Sequence, residues 1–308
     1  MSPEIVCMGE PMIELNQTDP KEKRYLQGFG GDTSNCAIAA ARQGGKVGYL
    51  TALGQDSFGD AFVELWRQEN VDSSRVLRDP DAHTAVYFVT HGKSGHEFSY
   101  LRAGSAASRM KPEDVPADYV KAAKALHVSG ISQAISASAC DAVFAAIDAA
   151  KAGGALVSYD TNLRKRLWPM PRARAVVEAT AAQADIVKAS IEDAQALTGL
   201  SDIDAILDHY LAHHPKAVVL TLGDGGSAVA TAQRRERLAR HEVELVDATG
   251  AGDTFDGAFL VEYLRTGDVF GSARWANAAA ALAVTGFGAV APMPTRDAVA
   301  ELLAGAER

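Results

Sequence analysis

Short apolar segments alternate with longer segments of helical spacing along most of the chain. The apolar segments predict strands at residues 4–8, 46–53, 125–128, 155–159, 186–189 and 217–222. The longer segments predict helices at residues 32–43, 58–69, 137–152, 172–182, 191–197, 202–213, 254–265, 269–285 and 296–303. Strands that alternate with helices are typical of a parallel sheet between two layers of helices. The pattern therefore predicts an α/β fold with a mainly parallel central sheet and helices on both faces.

Two segments depart from this alternation. Residues 11–29 contain polar and turn-forming residues with an alternating stretch. Residues 84–101 contain two strand-like runs on either side of a turn at 91–95, which is typical of a hairpin. We expect the two segments to form a small separate sheet inserted into the α/β body.

A second hairpin is predicted near the C-terminal third of the chain. Its strands would be residues 227–231 and 237–243. The mixed-charge residues 234–237 would then form its solvated tip.

The composition is that of a globular protein with an acidic balance. The chain has 308 residues, 47% of them hydrophobic and 22% charged, and a net charge of −9. That length suits one large α/β domain or two modest ones. The acidic balance argues against a general nucleic-acid or membrane-surface binder, because such proteins need a basic face. A small anionic ligand stays open, because a binding site can be locally positive in an acidic protein.

The cysteine and histidine patterns indicate neither a disulfide framework nor a metal site. Cys7, Cys36 and Cys140 are odd in number and widely spaced, which favours buried reduced thiols in a cytoplasmic protein. Residues 1–10 lack the apolar core of a signal peptide, and the apolar stretches fall short of the about 20 residues of a membrane span. His213-His214 lies at a predicted helix end without cysteine or carboxylate partners at ligand spacing, so we expect no metal there.

The sharpest local motif lies at residues 246–259. Gly250, Ala251 and Gly252 form a turn that leads directly into an apolar helix, where unpaired backbone N–H groups can hold an anion. Asp253 at the helix start could take a proton from a hydroxyl that attacks phosphorus. A Gly-rich turn with Asp253 as an N-cap is the alternative. The motif is not a Walker A loop, because GxxxxGK[ST] is absent.

A second glycine-rich segment lies at residues 28–35. Gly30-Gly31 opens a predicted helix, and Asp32 and Asn35 lie three apart on its first turn. Polar side chains in that place can bind a polyol. A capped helix start explains the segment about as well.

Together, the two motifs resemble the two signature regions of the ribokinase-like (PfkB) family of sugar kinases. The resemblance implies one kinase domain over residues 1–308, with a small β-sheet lid built from segments 11–29 and 84–104. It also implies Asp253 as the general base, with Gly250, Ala251 and Gly252 as the anion hole, and Gly31 and Asn35 as sugar-binding residues. ATP and Mg²⁺ are implied as cofactors, and a monovalent cation such as K⁺ is implied near Asp247 and Thr249. The ATP-binding residues implied are Ser190, Thr221, Gly223, Gly226, Gly250, Gly252 and Asn277.

Further segments resemble those of the 2-keto-3-deoxygluconate kinases within this family. They are residues 9–14, Tyr87, residues 99–107 and residues 160–168. The resemblance implies that Arg102 and Arg164 clamp the carboxylate of a sugar acid through charge-assisted hydrogen bonds. Tyr87 and Tyr100 would offer hydroxyl groups to the substrate. Solvated arginines and hairpin packing of the tyrosines are the alternatives.

One position departs from the family pattern. The family often has an N-x-x-E motif that organises the water molecules on magnesium, whereas this chain has Ser190 and Asp193 at the corresponding positions. The protein ligand of the metal therefore stays open.

The function expected is ATP-dependent phosphorylation of the primary hydroxyl of 2-keto-3-deoxygluconate to the 6-phosphate. A neutral-sugar kinase such as a fructokinase is the alternative among the kinases. A non-catalytic sugar or nucleotide sensor on the same fold is the alternative from another functional class. The partners expected are a small sugar acid and ATP, with no nucleic acid and no membrane. A homo-oligomer is also expected, with a dimer through the lid sheet as one arrangement.

Overall fold

The structure is a computed structural model that describes residues 2–17, 19, 21, 24–92 and 95–306. Residues 18, 20, 22 and 23 of the predicted insert, and residues 93 and 94 of the predicted turn, lie outside this description. The strands are β1 (Ile5–Met8), β2 (Met12–Asn16), β3 (Leu26–Gly30), β4 (Val47–Leu50), β5 (Ala52–Gly54), β6 (Val71–Asp72), β7 (Leu77–Asp79), β8 (Ala85–Gly92), β9 (Gly95–Leu101), β10 (Ala125–Ser129), β11 (Leu156–Asp160), β12 (Ile186–Ser190), β13 (Ala217–Thr221), β14 (Ser227–Ala230) and β15 (Arg235–Leu238). The helices are α1 (Asp32–Arg42), α2 (Ser57–Gln68), α3 (Ala117–Lys121), α4 (Gly130–Ala134), α5 (Ala137–Gly153), α6 (Met170–Ala181), α7 (Ile191–Thr198), α8 (Ile203–Leu211), α9 (Ala251–Thr266), α10 (Val269–Ala283) and α11 (Arg296–Ala306).

A nine-stranded central sheet runs in the order β15-β14-β13-β12-β11-β10-β1-β4-β6. Its strands from β13 to β6 are parallel, and β14 and β15 add an antiparallel hairpin at one edge. Val6 and Met8 of β1 belong to a core with α5, α6, α7 and α8, whereas Ile5 and Cys7 belong to a core with α1, α2, α9, α10 and α11. The predicted α/β fold, with helices on both faces of a mainly parallel sheet, is therefore confirmed.

Two predicted strands have different bounds in the structure. The 46–53 run divides into β4 and β5, which lie in different sheets. The predicted tip at 234–237 is wrong, because Arg235 already pairs with Ala230 and β15 ends at Leu238 instead of Val243. β15 is an edge strand on which Arg235 and Arg237 are exposed, and Arg235 forms ion pairs with Asp204 and Asp208 of α8. Its charges therefore belong to a strand instead of a turn.

A small separate sheet has the order β3-β2-β8-β9, with β2 and β8 parallel and the two outer pairs antiparallel. It draws on both of the predicted inserts. Its edge strands carry exposed apolar side chains, among them Leu26 at 66% and Leu101 at 59% exposure. The small sheet expected from the sequence is thus present.

Close packing of α1 against α9 joins the two glycine-rich motifs. A Cβ atom on Gly257 of α9 would lie 2.5 Å from the carbonyl oxygen of Cys36 and 2.6 Å from the backbone nitrogen of Ala40, so only glycine allows this approach. The helix starts that precede these contacts therefore lie side by side.

One further contact involves the histidine pair that follows α8. His213 has no carboxylate at ligand spacing in the sequence, but the fold brings Glu178 of α6 against it. The partner is 35 residues away in the chain, which local spacing does not reveal.

Within the described ranges, no helix is both long and apolar enough to cross a membrane.

Candidate active site

The site begins at two helix N-termini that glycines allow. Gly31 precedes α1 with φ 107°, and Gly250 precedes α9 with φ 78°, a range that favours glycine. A Cβ atom on Gly31 would lie 2.6 Å from the carbonyl oxygen of Glu10. First-turn N–H groups have no acceptor within their own helix, so each start can bind an anion or a hydroxyl group. Two of these groups already have an acceptor: the Ala251 N–H, part of the predicted anion hole, donates to Ala248 O at 3.3 Å, and the Thr33 N–H donates to Asp32 Oδ1 at 2.9 Å.

Asp253, the predicted base, lies in the first turn of α9. Asn35 Nδ2 donates to its Oδ2 at 2.8 Å. Burial, and then the negative charge of Asp32, raise the pKa of Asp253 to about 7, while the hydrogen bond from Asn35 opposes the rise. A carboxyl group with that pKa can both accept and release a proton near neutral pH.

Asp32 is tied to the loop that follows β11. Asn162 Nδ2 donates to Asp32 Oδ2 at 2.9 Å, and the Asn162 backbone has φ 28°. The Asn162 N–H donates to Asp160 Oδ1 at 3.2 Å. This loop therefore meets α1 beside Asn35, so both helix starts and the end of β11 meet at one place.

Lys188 is a central residue that the sequence analysis missed. Its Nζ lies 2.7 Å from Asp160 Oδ2 and 2.6 Å from Asp256 Oδ2, and it donates to Gly252 O at 3.1 Å. All three charged groups are buried, and the two carboxylates raise the pKa of Lys188 against the effect of burial. Lys188 thereby fixes the first turn of α9 against β11 and β12. The available signal was a lysine within an otherwise apolar strand.

Arg102 lies in a buried polar group that the sequence analysis also did not foresee. Its Nε donates to Glu10 Oε2 at 2.8 Å, and Ser105 Oγ donates to Glu10 Oε1. Burial raises the pKa of Glu10, and the charge of Arg102 opposes that rise. Because Glu10 O contacts the turn at Gly31, the structure places Arg102 beside the predicted sugar-binding turn. Its charge is already paired with a carboxylate of the protein.

Tyr87 and Tyr100 lie on the small sheet and stack with ring centroids 6.0 Å apart. Tyr87 Oη donates to Glu14 on the neighbouring strand β2. Burial and the charge of Glu14 raise the pKa of Tyr87, and Asp253 contributes to the same rise. Tyr87 lies against Gly30, where a Cβ atom would be 2.7 Å from its Oη, whereas Tyr100 is 43% exposed.

Arg164 follows Asn162 by two residues and is exposed. Leu163 N–H donates to Asp193 Oδ2 at 2.9 Å, and Asp193 N–H donates to Ser190 Oγ at 3.1 Å. Burial raises the pKa of Asp193. Asp193 thus anchors the loop that carries Arg164, and Ser190 caps α7.

The remaining predicted nucleotide residues lie at or near the carboxyl ends of β12, β13 and β15. Ser190 and Thr221 are paired at the ends of β12 and β13. Gly223 and Gly226 have φ 55° and 79° in the turn before β14. Asn277 Nδ2 donates to Ala239 O at 3.5 Å, close to the end of β15.

The predicted cation residues form a loop that contacts the segment after α10. Thr249 N–H and Oγ1 donate to Asp247 Oδ1 at 2.9 and 2.7 Å, and Gly288 N–H donates to Asp247 Oδ2 at 2.9 Å. Asp247 thereby joins residues 247–249 to the turn at Gly288, directly before the start of α9.

Comparison with known proteins agrees with this geometry. The model of the pfkB family of carbohydrate kinases matches residues 2–296. The chain is 34% identical to probable fructokinase-2 of Arabidopsis thaliana, over 94% of this chain and 93% of that protein. It is also 34% identical to the 2-dehydro-3-deoxygluconokinase of Thermoproteus tenax, over 97% of this chain and 94% of that protein.

Solved structures show the same architecture. The crystal structure of fructokinase with bound ATP from Xylella fastidiosa superposes with a TM-score of 0.90 at 27% identity, over 100% of both chains. The ribokinase-like fold expected from the two glycine-rich motifs is therefore confirmed. Family model, relatives and fold agree, and the chain belongs to the pfkB family of carbohydrate kinases.

Proposed function

We propose that the protein transfers the γ-phosphoryl group of ATP to the primary hydroxyl of 2-keto-3-deoxygluconate, giving the 6-phosphate. The observation that carries the proposal is the position of two arginines. Arg102 donates to Glu10, whose carbonyl oxygen faces the turn at Gly31. Arg164 lies two residues after Asn162, whose side chain donates to Asp32. A guanidinium group binds a carboxylate through paired charge-assisted hydrogen bonds, which suits a sugar acid.

Asp253 acts as the general base in this proposal. Its carboxylate takes the proton of the primary hydroxyl while that oxygen attacks the γ-phosphorus in line. The new oxygen–phosphorus bond forms as the bond to the β-phosphate oxygen breaks, and ADP leaves. Asn35 holds the carboxylate in place through its 2.8 Å hydrogen bond. The first-turn N–H groups of α9 other than that of Ala251 stabilise charge on the transferred oxygens.

ATP would lie along the edge that carries Ser190, Thr221, Gly223, Gly226 and Asn277. Support comes from the pairing of Ser190 with Thr221 at two neighbouring strand ends, because ligands of parallel sheets bind at carboxyl ends. It also comes from the fructokinase of Xylella fastidiosa, whose structure contains ATP.

Mg²⁺ fits the carboxylates near α7. Magnesium binds through one or two carboxylates together with substrate phosphates and water. Asp160 is paired with Lys188, so we assign the ion or its water molecules to Asp193, which lies beside Ser190 at the start of α7. When bound, the ion neutralises negative charge on the phosphates. A monovalent cation such as K⁺ remains proposed near Asp247 and Thr249, where oxygen atoms of the loop gather before α9.

Fructose phosphorylation is the second candidate, and one observation favours it. The charge of Arg102 is paired with buried Glu10, so less of it is available to a substrate carboxylate. The keto-acid proposal then depends mainly on Arg164. In the described part of the chain its guanidinium group forms no ion pair, so its charge is available to a substrate carboxylate.

The small sheet β3-β2-β8-β9 is proposed as a lid over the sugar, within one kinase domain that spans residues 1–308. Support comes from Tyr87, whose Oη packs against Gly30, directly before the proposed sugar-binding turn: a Cβ atom on Gly30 would lie 2.7 Å from it. Closure of such a lid would exclude water and limit ATP hydrolysis. A dimer through this sheet is proposed because Leu26 and Leu101 expose apolar surface on its two edge strands.

A coupled ADP-release assay over 2-keto-3-deoxygluconate, its galactonate epimer, fructose and ribose tests the substrate. Arg164→Ala should raise the KM for the keto acid by roughly tenfold to 150-fold, because a hydrogen bond to a charged group contributes about 1.5–3 kcal/mol. Fructose turnover should stay unchanged. Arg166→Ala, an exposed arginine of the same loop, is the matched control. Wild-type preference for fructose, or an Arg164→Ala variant with unchanged preference, would contradict the keto-acid proposal.

A further inference from the structure

A second group of metal-ligating side chains lies outside the candidate active site. His209 Nε2 is 3.0 Å from Glu178 Oε2, and His213 Nε2 is 2.7 Å from Glu178 Oε1. One ligand atom of each residue lies within 4.8 Å of those of the other two. Ligand atoms from α6, from α8 and from the turn after α8 thus converge on one point.

Local structure explains the convergence. His209 lies in α8, and His213 follows it by four residues, so the two imidazoles project from one side of consecutive turns. The Ala212 N–H donates to Asp208 O and the His213 N–H donates to Tyr210 O, which continues the helical turn as far as His213. Glu178 approaches from α6 with one carboxylate oxygen for each ring.

The donor set has the chemistry of a zinc site. Zinc takes imidazole nitrogen at 2.0–2.1 Å and carboxylate oxygen at about 2.0–2.2 Å, so tetrahedral ligand atoms lie about 3.3 Å apart. The two contacts between imidazole nitrogen and carboxylate oxygen, 3.0 and 2.7 Å, are shorter than that separation, so the side chains would move apart by about half an ångström to admit the ion. The side chains of His209, His213 and Glu178 are 32%, 21% and 46% exposed, respectively. This exposure lets an ion enter and leaves room for water as a fourth ligand.

We propose that Glu178, His209 and His213 form a binding site for a divalent transition-metal ion, for which Zn²⁺ is the probe. Two imidazoles and a carboxylate disfavour Mg²⁺, which binds through oxygen. The ion would link α6 to α8 and stabilise that face of the sheet. The proposal is independent of the substrate and of the phosphoryl-transfer step.

The position in the fold separates this site from catalysis. Glu178 and His209 lie in the last turns of helices that lead into β12 and β13, so the site is at the amino end of these parallel strands. Asp253 and the nucleotide residues are at the carboxyl end, where β11, β12 and β13 finish. Metal at this site should therefore change stability without changing turnover.

Zinc titration of the chelator-treated full-length protein, in competition with a chromophoric chelator, tests the proposal. Wild type should bind one equivalent that the variants Glu178→Gln, His209→Ala and His213→Ala lose or bind at least about tenfold more weakly. His214→Asn is the matched control, because His214 is the adjacent histidine, has φ 61° and is not part of the group. It should bind as wild type does.

A second measurement keeps the test decisive if a variant folds poorly. Zn²⁺ should raise the Tm of wild type and of His214→Asn, because a ligand that binds only the folded state stabilises it. His213→Gln, which retains a polar side chain of similar length, should show no rise. Equal zinc affinity in wild type and in the three ligand variants, or a Tm of wild type that zinc leaves unchanged, would overturn the proposal and leave Glu178 as a hydrogen-bond partner only.

Discussion

Asn35 Nδ2 donates a hydrogen bond of 2.8 Å to Asp253 Oδ2, although the two residues lie 218 positions apart in the chain. The bond joins the start of α1, where the sugar is expected, to the start of α9, where the phosphates are expected. It therefore orients the proposed base between the two reactants. Asp32 stands one turn away with the opposite influence, since its charge raises the pKa of Asp253 whereas Asn35 lowers it.

The pH dependence of kcat/KM should report Asp253. A base must be deprotonated, so activity should rise with pH through an apparent pKa of about 7. Asp32→Asn removes a neighbouring negative charge and should move this limb to lower pH. Asp141→Asn, an exposed aspartate on α5, should leave it in place. A limb that stays unchanged in Asp32→Asn would contradict the electrostatic account.

Asn35→Ala should move the same limb in the opposite direction. Its hydrogen bond favours the ionised carboxylate, so its loss raises the pKa of Asp253 and shifts the limb to higher pH. Steady-state profiles of the two variants with one substrate provide the comparison. Shifts of the same sign in Asp32→Asn and Asn35→Ala would show that the two residues act in some other way.

Asp253→Asn should separate catalysis from binding. Loss of the base should lower kcat by about 10²–10⁴-fold, while sugar and nucleotide binding, measured by calorimetry, persist. A variant with near-normal turnover would remove Asp253 as the base. A wild type that binds both ligands without turnover would instead favour the sensor alternative.

The same substitution should stabilise the protein at alkaline pH. The folded protein disfavours the ionised form of a carboxyl group whose pKa it raises. Ionisation of Asp253 therefore lowers the free energy of unfolding as the pH rises from about 4 to 7. Asp253→Asn has no such ionisation, so at pH 8 its free energy of unfolding should exceed that of wild type by on the order of 2 kcal/mol. One pKa unit corresponds to about 1.36 kcal/mol, and partial exposure of the side chain reduces the effect. Urea unfolding at pH 5 and pH 8 measures it. Equal pH dependence in both proteins would contradict the sign.

Lys188→Met should strongly destabilise the fold. It leaves Asp160 and Asp256 buried without their shared cation, a change that typically costs about 3–5 kcal/mol. Urea unfolding at pH 7 measures the loss, and adding Asp256→Asn should restore part of it by removing one carboxylate. Lys151→Met, an exposed lysine of α5, should change stability by less than about 0.5 kcal/mol. Equal losses in the two lysine variants would contradict the argument.

The sequence predicts the two glycine turns and Asp253 because each depends on neighbouring residues alone. Gly31 and Gly250 have the positive φ values that a glycine before a helix suggests. The sequence pattern does not predict the role of Lys188. Because β12 is buried on both faces, its residues do not alternate between polar and apolar, and the pattern does not show which side chains face buried carboxylates.

Pairs between distant elements were also beyond local reasoning. Arg102 was expected to face a substrate carboxylate, and the structure gives it Glu10, 92 residues away. Glu178 likewise reaches His213 only because α6 and α8 follow neighbouring strands of the sheet. Such partners depend on the order of strands, which periodicity does not determine.

Gly31→Ala should impair both folding and sugar binding. The residue has φ 107° and ψ 110°, and a Cβ atom would lie 2.6 Å from Glu10 O and 2.7 Å from the Cα of Pro11. Backbone strain of this kind costs about 1–3 kcal/mol, and the clash with main-chain atoms adds to it. Relief would require movement of the start of α1, which carries Asn35, so the KM for the sugar should also rise.

Gly44→Ala is the matched control, because Gly44 has φ 89° but no atom within 4 Å of its Cβ position. It should lose about 1–2 kcal/mol from backbone strain alone and keep the wild-type KM. Urea unfolding and steady-state kinetics on both variants separate the two effects. If Gly31→Ala and Gly44→Ala lose equal stability and keep equal KM values, the contact between Gly31 and Glu10 does not position the sugar-binding turn.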